Sequence, residues 1–229
     1  MADNTKQFRW IVVIQQNLEW LFADHETVFV AGDLLWYPVE GDPKSRMAPD
    51  ILVAFGRPKG DRGSYQQWLE DHIPPQVVFE ILSPGNRVKK LVEKLRFYER
   101  YGVEEYYIYD PDGIEVTGLT RSGKELVVIN QMSGWVSPRL GIRFDLSDDE
   151  LQLYRPDGQP FLSYVEIARR AEQERDRADQ AEQEVAQERD RADQAEQEVA
   201  QERDRADQAE QRAAQLENRL RAMGINPDA

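Results

Sequence analysis

The chain has 229 residues, 31% of them charged, with a formal charge of −14 at pH 7 and no cysteine. That composition excludes disulfides, thiolate zinc sites and cysteine nucleophiles, and any nucleic-acid contact must come from a local basic patch rather than from overall charge. There is no apolar run of membrane-spanning length and no basic segment leading into an apolar one at the N-terminus, so no membrane partner and no signal peptide are expected, and a cytoplasmic protein is the default.

Residues 8–22 carry Trp10, Val13, Ile14, Leu18, Leu21 and Phe22 at helical spacing and predict an opening amphipathic helix. Residues 27–39, rich in β-branched and aromatic side chains, predict a strand bulged at Gly32. Pro49 and Asp50 introduce a second strand, ILVAF, and the glycines, proline and charges of GRPKGDRGSYQQW predict a long exposed loop. After Pro74 and Pro75, the nearly continuous apolar run QVVFEILSP predicts a strand buried on both faces. A basic helix follows at about 87–101 and stops at Gly102. EYYIYDPDG then predicts a strand and turn, residues 113–130 a hairpin around the Arg121–Lys124 turn, and residues 135–154 further short strands. This order predicts an α/β or α+β domain around a mixed central sheet over 1–168.

One position carries most of the chemical information. Glu80 interrupts the most buried-looking strand, and an ionised carboxylate there costs several kcal/mol unless it is paired or metal-bound. If the strand beginning at Asp50 lies alongside, two hard oxygen donors converge at one sheet end, a workable pair for Mg²⁺ or Mn²⁺. Spacing alone serves equally well for an ion pair between Glu80 and a lysine or arginine of the next helix. That helix holds Arg87, Lys89, Lys90, Lys94, Arg96 and Arg100 against Glu93 and Glu99, which is either a basic patch or a solvated face.

Pro49-Asp50, a strand-borne Glu80 in VVFEILSP, and KLRFYERYGVEEYYIYDP at 94–111 together resemble the Uma-two family of putative restriction endonucleases, a branch of the PD-(D/E)XK nuclease superfamily. The resemblance runs over about residues 10–165. It implies a restriction-endonuclease-like fold, a mixed central sheet flanked by helices, and metal-assisted hydrolysis of a phosphodiester in DNA or RNA. It also implies Asp50 and Glu80 as ligands of Mg²⁺ or Mn²⁺ and Lys94 as an assisting cation beside a phosphate-facing patch with Arg87 and Lys90. Apolar Val88, Leu91, Val92, Leu95 and Tyr98 define the helix face that Lys94 borders.

Three departures qualify the implied chemistry. Leu82 stands where the superfamily pattern has lysine, Lys90 stands where family members often have an acid, and no third ligand is assigned. Glu19 is the only acid of the opening helix, and Asp33 is either a substitute ligand or an exposed carboxylate. These departures leave a second reading, a catalytically decayed nuclease fold that binds nucleic acid or protein. His25 and His72 do not form a ligand-spaced pair, and GRPKGDRGS does not fit a phosphate-cradling loop. Asp110-Pro-Asp-Gly113 predicts a tight turn, and Asp148, Asp149 and Glu150 a solvated turn or helix start.

The last part of the chain repeats itself: AEQEVAQERDRADQ at 181–194 recurs letter for letter at 195–208. Fourteen residues make two heptads, so 169–223 predicts a heptad-repeat helix and 224–229 a disordered tail. With Ala171, Ala178, Val185, Ala192, Val199, Ala206, Ala213 and Leu220 at position a, the seam is mostly alanine, and Glu174, Glu188 and Glu202 fall at d. The flanks are ordered. A parallel, in-register homodimer over 171–223 pairs Arg177 with Glu182, Glu184 with Arg189, Arg191 with Glu196, Glu198 with Arg203, Arg205 with Glu210 and Arg212 with Glu217, leaving only Arg170 and Arg175 repulsive. A lone charged helix supported by Glu188–Arg191-type neighbours satisfies the same composition.

Overall fold

The structure, a computed structural model, describes residues 4–85, 88–146 and 149–223. Arg87, Asp148 and the expected tail at 224–229 lie outside the described residues.

A six-stranded sheet organises residues up to 167. Its strands are β1 (Val28–Gly32), β3 (Ile51–Phe55), β5 (Val77–Ile81), β6 (Glu105–Asp110), β7 (Glu115–Ser122) and β8 (Glu125–Val128), adjacent in that order. Only β5 and β6 run parallel. A parallel neighbour needs a crossover, and helix α2 (Val88–Tyr101) supplies it.

Strand alternation sends the two faces of the sheet to two cores. On one face, helix α1 (Thr5–Leu21) buries Trp10, Ile11, Ile14 and Leu18 against Ile51, Val77, Phe79, Ile81, Tyr107 and Tyr109. Phe144 and Leu153, from the antiparallel pair β9 (Arg143–Asp145) and β10 (Gln152–Tyr154), join the same core. Asn4 caps α1, its Oδ1 accepting from the Gln7 amide at 2.8 Å. On the other face, Tyr98 of α2 packs with Leu52, Val78, Tyr106 and Trp36. Trp36 belongs to β2 (Trp36–Tyr37), which pairs in parallel with β4 (Tyr65–Gln66) outside the main sheet.

Three expectations need correction. Residues 27–39 are not one bulged strand: the chain leaves the sheet at Asp33, whose φ of 48° breaks the extended run, and Trp36 pairs elsewhere. The loop after β3 is not simply exposed. Buried Glu70 accepts from Arg57 at 3.1 Å and Arg62 at 2.6 Å, Arg62 lies 3.8 Å over the Phe29 ring, and Tyr65 is fully buried. Val88 and Val92 do not join the buried face of α2, because the aromatic cluster of Phe97, Tyr98 and Tyr101 around Trp36 anchors the C-terminal half of that helix instead.

Gly102, at φ 97°, ends α2 in a conformation that a side chain disfavours. The Arg121 guanidinium closes that end by donating to the carbonyls of Tyr98, Glu99 and Val103. Helix α3 (Tyr164–Ala222) is 59 residues long and opens with a reciprocal Ser163–Glu166 cap. The described residues from 168 onward form a unit distinct from those up to 167, and Val185, Val199, Leu216 and Met223 are exposed along it. Among the described residues, no helix is long and apolar enough to cross a membrane.

Candidate functional site

Strand register decides which acids meet. In the β3–β5 ladder Ile51 faces Phe79, so one step further Asp50 lies opposite Glu80. Residues opposite each other in an antiparallel pair share a face, here the face covered by α2. Both acids are buried, Asp50 at 8% and Glu80 at 2% exposure.

Glu80 is held by two groups from one side of α2. Lys94 Nζ forms an ion pair with Oε2, and the Tyr98 hydroxyl donates to Oε1 at 2.5 Å. Lys94 and Tyr98 are four residues apart, one helical turn, so a single helix face delivers both donors. Asp50 accepts from the Ile81 amide through Oδ2 at 2.7 Å. The Ile81 carbonyl accepts from Gln7 Nε2 at 2.8 Å, which ties the start of α1 to the end of β5.

Burial pushes the Glu80 carboxyl up to about 7; the neighbouring Asp50 adds to the rise, while Lys94 and Tyr98 oppose it. Asp50 is likewise raised, first by burial, against the Ile81 amide and the Lys94 charge. Tyr106 stands on the same face of neighbouring β6, across from Val78. Its hydroxyl is fully buried and has no hydrogen-bond partner among the described residues. Its acidity is suppressed by burial and by the fields of both Glu80 and Asp50.

The structure therefore brings Asp50, Glu80 and Lys94 to one place, and Lys94 makes the ion pair that the alternative reading of Glu80 required. Asp33 lies opposite Asp50, one register step beyond the Gly32–Ile51 pair, its amide donating to the Asp50 carbonyl at 3.0 Å; the residue is exposed, and its charge adds to the rise of the Asp50 carboxyl. Glu19 accepts from Gln15 Nε2 at 2.8 Å. Among the described residues, no three or more histidine, cysteine, aspartate or glutamate side chains form a ready metal cage. The donor chemistry still fits Mg²⁺, which is commonly held by one or two carboxylates with waters and substrate phosphates completing its shell. The orphaned Tyr106 hydroxyl is a further polar group, from a residue on the same sheet face as the carboxylates.

Lys90 is exposed one turn before Lys94. A groove of about 410 Å³ along edge strand β1, lined by Gln15, Glu19, Lys59 and Arg62, includes none of Asp50, Glu80 and Lys94. Its cations are committed elsewhere: Lys59 caps α1 at the Phe22 and Ala23 carbonyls, and Arg62 holds Glu70. Buried Glu105 is satisfied on the opposite face by Tyr107, Ser137 and the Arg139 amide, so it serves the fold.

Sequence reasoning missed Tyr98 as a Glu80 partner, although its i,i+4 relation to Lys94 was visible. It also missed Gln7 and Tyr106, because only the register tells which alternate residues of EYYIYD face the carboxylates.

Residues 9–155 match the model of the Uma2 family, described as "Putative restriction endonuclease". Among solved structures, the chain is similar to a putative nuclease belonging to DUF820 from Anabaena variabilis ATCC 29413, with 18% identity and a TM-score of 0.45, covering 60% of this chain and 74% of that one. No curated protein matches.

Proposed function

The chain belongs to the Uma2 family of putative restriction endonucleases, and from that premise we propose that residues 1–168 form a divalent-metal-dependent endonuclease that hydrolyses phosphodiester bonds of DNA. The observation that carries the reading is the buried Asp50–Glu80 pair at the end of adjacent strands, with Lys94 reaching it from α2, all inside the matched region.

Asp50 and Glu80 would hold Mg²⁺ or Mn²⁺, which supplies Lewis acidity at the phosphate and a water of lowered pKa. The Ile81 amide fixes one oxygen of Asp50 and Tyr98 fixes one oxygen of Glu80, while Lys94 would give up the other Glu80 oxygen to a bound cation. Lys94 places a positive charge where the pentacoordinate phosphorus develops negative charge. Exposed Lys90, one turn away, attracts the neighbouring backbone phosphate; Arg87 belongs to the same proposed patch. In a chain of net charge −14 this attraction is local, and binding should weaken steeply with salt.

Supercoiled plasmid, single-stranded DNA and RNA incubated with Mg²⁺ or Mn²⁺, beside Asp50→Ala and Glu80→Ala, test the reading. Metal-dependent nicking by wild type alone supports it, equal nicking by all three proteins rejects the site, and preference for RNA reassigns the substrate. A second reading, a decayed fold used for binding, draws on the engagement of both Glu80 oxygens by Lys94 and Tyr98; binding without cleavage would favour it.

We further propose that α3 is a parallel homodimer arm. Past residue 168, the large exposed apolar residues Val185, Val199, Leu216 and Met223 fall on the a/d seam. Six attractive g–e pairs, each contributing about 0.2–1 kcal/mol, select orientation more than they stabilise.

A further inference from the structure

We propose that the Tyr106 hydroxyl is a positioning group of this site, donating its hydrogen bond to an oxygen ligand, a water or a phosphoryl oxygen, held at the Asp50–Glu80 pair. The inference rests on the proposed cation-binding role of that pair and assigns the site a fourth member.

The argument begins from what the hydroxyl lacks. Tyr106 is fully buried between Tyr98, whose ring meets it edge-on at 5.0 Å, and the sheet. A buried hydroxyl without a partner destabilises the fold, and phenylalanine would fill the same space without that cost. Of the neighbouring acceptors, the two oxygens of Glu80 are bonded by Lys94 and Tyr98 and Oδ2 of Asp50 by the Ile81 amide, and none is bonded by Tyr106. Tyr106 thus keeps a proton in the field of two carboxylates without donating it to either. Because that field and burial suppress its ionisation, the phenol acts as a donor and not as a base. An oxygen bound beside both carboxylates is the acceptor this arrangement suits, and such outer donors fix the orientation of metal ligands.

Tyr98 provides the internal contrast. Its hydroxyl is already bonded within the protein, so losing it harms the metal-free fold, whereas losing the Tyr106 hydroxyl should not.

The test compares full-length wild type, Tyr106→Phe, Tyr98→Phe and Asp50→Ala, using thermal unfolding in EDTA and calorimetric titration with Mn²⁺. We expect Tyr106→Phe to melt at or above the wild-type temperature and to bind Mn²⁺ about 10-fold or more weakly, while Tyr98→Phe melts lower. Unchanged Mn²⁺ affinity in Tyr106→Phe overturns the inference, whether or not its melting temperature falls, and leaves the carboxylate site standing. Failure of wild type to bind Mn²⁺, or equal binding by Asp50→Ala, defeats the carboxylate reading itself and this inference with it.

Discussion

Replacing Glu80 by glutamine should make the metal-free protein markedly less sensitive to pH. Burial raises the folded-state pKa of Glu80 from 4.5 to about 7, so folding prefers its protonated form. The stabilising contribution is complete below about pH 4.5, declines as pH rises, and levels off above the folded value of about 7. At about 1.4 kcal/mol per unit of difference, the loss comes to about 3 kcal/mol by neutral pH. Urea unfolding in EDTA at several pH values between about 4.5 and 7.5 measures it. The difference in stability between wild type and Glu80→Gln should move by about 3 kcal/mol in favour of the variant over that window. A difference independent of pH would refute the reasoning, because it would mean that Lys94 and Tyr98 fully compensate the ionised carboxylate.

The same protonation predicts that Mn²⁺ affinity rises about tenfold per pH unit up to about 7 and flattens above it, measurable by calorimetric titration. Glu70→Ala leaves Arg57 and Arg62 without their shared buried carboxylate; it should cost about 3 kcal/mol in urea unfolding and speed proteolysis within 56–64. Gly118→Ala places a Cβ 2.4 Å from Met132 Sδ and 2.8 Å from Ile129 Cδ1, so a loss of about 1–3 kcal/mol in the same assay is expected. Truncation after residue 168 should convert a dimer to a monomer in sedimentation while leaving the melting of the body nearly unchanged; a monomeric full-length chain would remove the dimer proposal.

The centre of the sheet was legible because β3 and β5 are buried on both faces. ILVAF is a continuous apolar run and VVFEI one broken only by Glu80, each preceded by proline within a few residues, and β3 and β5 coincide with them. The basic helix and its glycine stop were equally plain. Long-range contacts were not legible. Nothing in 27–39 announces that Trp36 leaves the sheet to stack on Tyr98, and nothing in a glycine-rich loop reveals that Glu70, downstream, gathers its two arginines.

The candidate site followed the same division. Glu80 stood out because a charge in an apolar run needs a partner, and helical spacing placed Lys94 at the edge of a buried face. That Asp50 lies across from Glu80 depends on a register that sequence leaves open. Tyr106 is one of three tyrosines in an alternating strand, and only the fold separates the one on the carboxylates' face from the other two.

Anomalous diffraction from crystals soaked in Mn²⁺ tests the central claim most directly. The account predicts a manganese peak coordinated by Asp50 and Glu80 in wild type and its loss in Asp50→Ala. A peak elsewhere, or an undisturbed Lys94–Glu80 pair at saturating Mn²⁺ with no metal beside it, would contradict it.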